Sequence, residues 1–477
     1  MVAQPEHRVD VLIGNPPWLS YRYMPAEMQV RFAERARSRH LWAGGRVATH
    51  QDLSAFFVAR TVELYLAVGG RFAFIMPRAT LTRQAYDGFR HADFSSPGAT
   101  CAVAFDVPWD LGEVDPEPFP VPSAVVLGQR VTSPTAPPRV PLPSSRLRLS
   151  GRTGAHGGWA VAATNLVITT TEGERAFSTD DVPRSPYAER FRQGASLVPR
   201  MLVFVVDAPR GPVGMPQGLL PVRSRRGSLD KTPWRGLPDQ SGNIETIFVR
   251  PTYLGEHVLP FRLLQPGRAV IPYDGTRLLS GADDRIDRYP GLAGWWREAE
   301  TTWDEHKAPA TSLSLLGQVD YMHKLSAQFP AAPIRVVYTK AGNYLTGATV
   351  TDRDAAIDHT LYWAAAGTID EARYLTAVLN ASALGEIVAP YQSVGAFGPR
   401  HFDKYVWYVP VPEFDPSDKR HRHLVDLAEQ AEAVAAGINL AEGLGFQRAR
   451  KLIRQALEDL GTAEAIDAEF RTLLGVS

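Results

Sequence analysis

Cysteine is almost absent from this sequence and lysine is scarce. Cys101 is the one cysteine in 477 residues, which excludes a disulfide framework and any cysteine-based zinc cluster. No apolar run approaches the ~20 residues that a bilayer span needs. The first ten residues hold no basic segment followed by an apolar stretch, so no signal peptide is expected. A cytoplasmic protein is the expectation. Neither sign of charge is in excess, with 51 basic and 51 acidic residues. Hydrophobic residues make up 44% and charged residues 21%, ordinary values for a globular protein. At roughly 100–200 residues per domain, the length allows two to four domains.

The basic residues are unevenly chosen and unevenly placed. Seven are lysine and 44 are arginine. Arginine is the better residue for bidentate phosphate and guanine contacts, although a GC-rich coding sequence produces the same bias. Between Arg184 and Arg226 eight arginines face two acids, Glu189 and Asp207. Local clustering of this kind is a better guide to a nucleic-acid partner than net charge.

Residues 9–13, Val-Asp-Val-Leu-Ile, are a short apolar run with a buried-strand signature. Pro25 starts a helix that reaches about Trp42, with Gly44 and Gly45 ending it. Asp52 opens a second helix, which the Gly69–Gly70 pair closes as a C-cap. Strands follow at Arg71–Met76, Cys101–Phe105 and Ser123–Leu127, with a helix at Arg83–His91. This alternation is half of a doubly wound α/β sheet. Segment 136–158, rich in Pro, Ser, Gly and Arg, is read as a linker. Beyond it come short β-like runs at Met201–Val206, Thr246–Val249, Ala269–Ile271 and Ile334–Tyr338, with a helix at Asp370–Asn380. From His423 the chain is helical, broken by Gly437, Gly443–Gly445 and Gly461.

One motif is specific. Asn15-Pro16-Pro17-Trp18 directly follows the first strand, where α/β sheets place their chemistry. A strand-ending turn rich in Asn and Pro is the plain alternative. The chemistry that fits is transfer to an exocyclic amine, whose lone pair is delocalised into its ring. The Asn15 side-chain oxygen and the Pro16 carbonyl would accept the two amine hydrogens, held still by successive prolines. Trp18 offers a face on which a base extruded from a duplex can stack.

These four residues resemble the catalytic motif of amino-methylating DNA methyltransferases of the N6-adenine kind. The resemblance continues in order. Gln51–Phe56 is similar to the helix start that borders the methyl donor in that family, and Asp52 is the implied cofactor-binding residue. Gly69–Pro77 is similar to the glycine pair and strand that follow. Phe119–Val126 is similar to a late motif whose aromatic packs the other face of the flipped base, which makes Phe119 the second stacking candidate. Phe191–Arg200, Gly255–Pro272, Leu375–Ser382 and Val409–Pro412 resemble segments of large restriction–modification and phage-defence methyltransferases, including the single-chain type IIG enzymes. The resemblance implies S-adenosyl-L-methionine as cofactor, double-stranded DNA as partner, no metal, and no membrane. In the recognition region it implies Arg192, Arg200, Arg223, Arg225, Arg226 and Arg400 as DNA contacts. Trp295 and Trp296 are either a small core or a stacking surface. The implied fold is α/β, the second half of a Rossmann-like class I methyltransferase sheet over residues 1–135. The 136–158 linker, an α+β target-recognition domain over 159–412 and C-terminal helices over 413–477 complete it.

Two parts of that family's pattern are missing. No glycine-rich turn follows a first strand, and no acid follows a second strand to hold a ribose. A separate or upstream polypeptide carrying the cofactor-binding motif is therefore an expected partner. The alternatives are a DNA-binding specificity module without catalysis, and methylation of RNA or of a protein glutamine.

Overall fold

The computed structural model describes residues 7–43, 51–116, 118–119, 121–131, 138–153, 158–171, 184–209, 217–227, 230–309, 311–389, 393–395 and 398–475. It forms two compact units, one of residues 1–183 with 390–400, the other of residues 184–389 with 401–477. Among the described residues no helix is long and apolar enough to cross a membrane.

The first unit is built on a seven-stranded mixed sheet. Its strands are β1 (Val9–Gly14), β2 (Leu66–Pro77), β3 (Ala102–Phe105), β4 (Trp109–Asp115), β5 (Ser123–Val131), β6 (Arg146–Arg152) and β7 (Leu166–Thr171). They run in the order β1-β2-β5-β4-β6-β7, with β3 also paired to β5. β1 lies parallel to β2, β5 antiparallel to β2, and β6 parallel to β4. Helices α1 (Ala26–Arg37) and α2 (Leu53–Tyr65) connect β1 to β2, and α3 (Asp87–Arg90) and α4 (Trp159–Asn165) are short. Phe72, Phe74 and Met76 alternate along β2, as a strand with one buried face requires. They form a core with Phe32, Val58 and Val62 from the helices.

Four expectations change here. The Gly69–Gly70 pair is not a helix cap. α2 ends at Tyr65, where the Arg130 guanidinium from β5 takes the carbonyls of Val62 (3.3 Å), Glu63 (3.1 Å) and Leu66 (2.6 Å). That cation satisfies the carbonyls a glycine cap would otherwise serve. The glycines lie inside β2, at the point where its register against β1 shifts. A Cβ on Gly70 would stand 2.9 Å from the Asp10 carbonyl oxygen, so the bare backbone is what lets β1 approach. The Arg83–His91 helix shrinks to one turn at Asp87–Arg90 after 3-10 turns. The 136–158 linker contains β6, which pairs with β4 and β7. The first unit accordingly extends to Pro183 rather than 135. Gly44 and Gly45 lie outside the described residues.

The second unit holds two sheets. A six-stranded one runs β11 (Ser241–Glu245), β10 (Leu219–Ser224), β9 (Phe204–Asp207), β15 (Gly267–Val270), β12 (Val249–Tyr253), β18 (Ala356–Ile357). A four-stranded one runs β17 (Gly347–Val350), β16 (Arg335–Thr339), β19 (Leu361–Ala365), β8 (Arg192–Gln193). A hairpin, β13 (Val258–Leu259) with β14 (Arg262–Leu263), stands apart; the ribbon of β20 (Ser393–Gly395) with β21 (Gly398–His401) is grouped with the first unit as far as Arg400. Its helices are α5 (Tyr187–Arg190), α6 (Arg200–Val203), α7 (Pro290–His306), α8 (Leu315–Val319), α9 (Ile369–Asn380), α10 (Ser382–Val388), α11 (Lys419–Gly437), α12 (Phe446–Asp459) and α13 (Thr462–Leu474). The expected Met201–Val206 strand begins instead as the α6 turn. Trp295 and Trp296 are core residues on α7, with Trp295 Nε1 donating to the Leu202 carbonyl at 3.0 Å. The C-terminal helices are not a separate region: α11, α12 and α13 share one core with α9 and β16.

Gly194 fixes a close crossing in this unit. A Cβ there would sit 2.4 Å from the carbonyl oxygens of Ile357 and Asp358. With glycine in place, Gly194 N bonds Leu361 O at 3.0 Å and Ala195 N bonds Ile357 O at 2.8 Å. The Phe191–Arg200 segment is thereby stitched to β18 and β19.

One buried charge cluster governs the first unit. Asp110 on β4 is 1% exposed. It takes Arg78 Nε at 2.7 Å, Arg146 Nη1 at 3.3 Å and the Gly112 amide at 3.1 Å. Burial alone would raise its carboxyl, but the Arg78 hydrogen bond and the two guanidinium charges hold it below the usual range. Folding thus favours the ionised form. The resulting stabilisation is complete above about pH 4, the unfolded carboxylate value, and disappears as pH falls through the lowered native value. Asp110→Ala is expected to cost about 3 kcal/mol at neutral pH, because it leaves Arg146 buried without its acid. Urea unfolding at pH 7 and at pH 3 checks this, and the gap between variant and wild type should narrow at the lower pH.

Candidate active site

The site grows from the carboxyl end of β1. Val9–Gly14 runs parallel to Leu66–Phe74, and the chain leaves the sheet at Asn15. Pro16 is buried while Asn15 and Pro17 are exposed. Among the described residues, no hydrogen bond is made to the Asn15 side-chain oxygen or to the Pro16 carbonyl. Both acceptors are available to an incoming donor.

Trp18 is held from β2. Its Nε1 donates to the Ile75 carbonyl at 3.3 Å, which fixes the indole beside the end of that strand. Phe119, in the β4–β5 connection, lies against it with ring centroids 5.4 Å apart and planes tilted by 53°. The two residues read from sequence as base-stacking aromatics are thus neighbours. A base stacked between them needs ring faces about 7 Å apart, twice the ~3.4 Å step of stacked bases. At 5.4 Å between centroids the two rings lie against each other and leave no space for such a base. The Phe119 loop is anchored on either side: Arg78 N donates to Pro122 O at 2.8 Å, and Arg78 also holds Asp110 on β4. Pro120 lies outside the described residues.

Asp52 is placed close by but is already occupied. It bridges to Ser20, just after the motif, and Leu53 N bonds Leu19 O at 3.0 Å. Its side chain caps α2, with Oδ1 accepting from the Ser54 amide at 2.9 Å and from Ser54 Oγ. The other oxygen, Oδ2, accepts from the Tyr86 hydroxyl. Burial pushes the Asp52 carboxyl up, against the hydrogen bonds from Ser54 and Tyr86. Burial and the Asp52 charge together raise the Tyr86 phenol well above its ordinary value. Both oxygens thus take internal hydrogen bonds, and Asp52 caps α2.

The arginines are placed in different surroundings. Arg226 is committed internally to Asp239 and to the carbonyls of Trp234 (2.8 Å) and Leu237. Arg223 pairs with Asp239 at 3.5 Å and Arg225 with Glu256 at 3.0 Å. Arg200 lies over the Phe204 ring, 5.8 Å from its centroid. Arg192 on β8 is exposed and no acid faces it among the described residues. The backbone of Arg400 lies in β21, and its side chain is outside what is described. Among the described residues no group of three or more His, Cys, Asp or Glu could hold a metal ion.

No protein-family model matches the chain, and no curated protein does. Solved structures do. The type IIL restriction-modification enzyme MmeI in complex with DNA is similar with a TM-score of 0.58 at 10% identity, over 98% of this chain and 54% of that one. The type IIG restriction endonuclease BpuSI aligns over 98% of this chain and 55% of that one at 12% identity, with a TM-score of 0.29. A DrdV–DNA complex aligns over 91% and 45% at 10% identity, with a TM-score of 0.41. The last two likenesses are too slight to argue from. The first shows a shared mixed α/β fold, and this chain spans about half the length of that enzyme.

Asp52→Ala separates the two roles open to this residue. Loss of the cap costs about 1 kcal/mol, and an orphaned Tyr86 hydroxyl about 1 kcal/mol or more. We expect an unfolding free energy lower by about 2 kcal/mol, read by urea denaturation. Unchanged stability would show that the carboxylate is not structural.

Proposed function

We propose that this chain is the amine-binding and DNA-recognition portion of a DNA adenine N6-methyltransferase of the restriction–modification kind. The observation that carries the reading is the pair of unoccupied acceptors, Asn15 Oδ1 and the Pro16 carbonyl, next to the Trp18–Phe119 aromatic pair. An exocyclic amine is a poor nucleophile while its lone pair is conjugated with the ring. Acceptors on both hydrogens favour the tetrahedral form, in which the lone pair is free. Because Pro16 and Pro17 fix the backbone, little reorganisation is needed at reaction. The aromatic pair supplies stacking worth about 1–3 kcal/mol to a base out of its duplex. The fold shared with a DNA-bound restriction-modification enzyme supports duplex DNA as the substrate.

The residues present do not fit a whole site for S-adenosyl-L-methionine. The glycine-rich turn and ribose acid of that site have no counterpart in the sequence, and both oxygens of Asp52 already take internal hydrogen bonds. We therefore assign the donor half to other residues, upstream in a longer polypeptide or in a separate chain. β1 is the surface for them. It pairs with β2 alone among the described strands, and Val9, Val11 and Ile13 on one of its faces are 43%, 62% and 74% exposed. An exposed apolar edge of this kind is a site for strand addition.

Expression together with the polypeptide encoded upstream, in a host without DNA methylation, is expected to write N6-methyladenine at one sequence motif. Asn15→Ala should lower the transfer rate by about 100-fold or more while duplex affinity is retained. N4-methylcytosine at the motif would correct the target base. Sequence-specific retention of DNA with no mark would favour a non-catalytic specificity module. Val11→Lys with Ile13→Lys should leave this chain folded, since both side chains are exposed, and abolish its association with the donor half in size-exclusion chromatography.

A further inference from the structure

A second feature, in the other unit, is strained and outward-facing. The turn Asp320–Ser326 joins α8 to the strand region before β16. Met322 and His323 are consecutive non-glycine residues with positive φ, 58° and 57°. Left-handed backbone is disfavoured for L-residues with a Cβ, and two in succession persist only where the surroundings over-determine them. Asp320 does so. Its carboxylate accepts from Leu325 N (2.9 Å), Ser326 N (2.8 Å) and Ser326 Oγ, while its carbonyl takes His323 N at 2.7 Å. The side chains presented by this turn face outward, with His323 Nδ1 3.6 Å from Asp320 Oδ2. Tyr321 is 48% and Met322 69% exposed.

Lys324 follows at once. Its Nζ donates to Gln193 Oε1 at 2.9 Å, and Gln193 Nε2 donates to His359 O at 2.9 Å. Lys340, at the end of β16, bonds Thr360 O through its amide, and its Nζ lies 3.8 Å from Asp403 Oδ1. Two of the chain's seven lysines are thus brought to the same end of β19. Burial, and then the Lys340 charge, hold Lys324 below the ordinary lysine range. Of the neighbouring acids, Asp320 is spent on its own turn and Asp358 on Thr360 and His359, while Asp403 offsets part of the Lys340 charge and none of that of Lys324. An anion set between the ammonium groups would remove their repulsion.

We propose that Tyr321–His323 is a rigid tip that enters a groove of duplex DNA, with Lys324 and Lys340 sharing one backbone phosphate beside it. Charge selects the occupant: two lysines match a phosphate as point charges, and an aromatic and a thioether side chain match sugars and base edges. The inference rests on the DNA reading above and adds a contact to it. Neither the arginine cluster nor any resemblance points to these residues.

The test is fluorescence anisotropy of a labelled mixed-sequence duplex with the full chain across a salt series. Lys324→Ala with Lys340→Ala is expected to make the slope of log affinity against log salt shallower by about 1, the change for one phosphate released. Met322→Gly keeps the left-handed backbone and removes the side chain. It should weaken binding at least about five-fold, the lower end of the range for a contact of this kind, with the melting temperature unchanged or raised. Wild type that binds duplex, with both variants indistinguishable from it, overturns this inference and leaves the DNA reading intact. Wild type that binds no duplex overturns both.

Discussion

The candidate site depends on the carboxyl end of β2. That strand lies between β1 and β5, and its last residues and the one that follows hold both Trp18 and the loop that carries Phe119. The Ile75 carbonyl holds Trp18. Pro77 ends the strand, and Arg78 then turns to Asp110 on β4 and, through its amide, to Pro122. The motif after β1 and the aromatic loop before β5 are far apart in sequence. They meet because both are tied to this one strand end. β2 can do so only because it is fixed along its length: Arg130 terminates the helix that feeds it, and the bare Gly70 backbone lets β1 draw near.

What was legible in the sequence was local. Asn15–Trp18 follows an apolar run, and that run is a strand ending at Gly14; its expected burial fails, because it is an edge strand whose Val9, Val11 and Ile13 are exposed. The helix after Asp52 was visible from its cap, and the C-terminal helices from their glycine interruptions. The Gly69–Gly70 pair misled because a glycine after a helical pattern is the ordinary stop signal. Here a cation from a strand more than sixty residues on supplies the stop, and no local pattern encodes that. β6 was hidden for a related reason. Arg146-Leu147-Arg148-Leu149 alternates as a strand should, but it sits among prolines, serines and glycines that read as linker. Its role appears only when β4 and β7 pair with it.

The arginine cluster shows the same limit in electrostatic form. Counting along the chain from Arg184 to Arg226 finds a large positive excess. The fold removes much of it by bringing in Asp239 and Glu256 from outside that window. Arg226 goes further and binds carbonyls, as a structural cation does. The reverse holds for the lysines. Lys324 and Lys340 are too few and too separated to draw notice in sequence, and the turn at β19 puts them together. Charge that matters for a polyanion is what remains after internal pairing, and that remainder is a property of the fold.

A free acceptor is costly only when it is buried, and this decides how the motif must be built. An unpaired polar group away from water loses about 1–3 kcal/mol. Asn15 avoids the penalty by standing exposed, while Pro16 is buried. Two prolines in succession remove two amide donors from the neighbourhood. The turn therefore cannot satisfy its own acceptors by folding back on itself, as an Asn-rich turn ordinarily does. Asp52, bridged to Ser20 just after the motif, shows the opposite outcome. It lies beside amide and hydroxyl donors, and its oxygens are taken by Ser54 and Tyr86. The difference between a cap and a binding group here is a matter of which donors the sequence leaves within reach. At Asn15–Pro16 no donor lies within reach among the described residues.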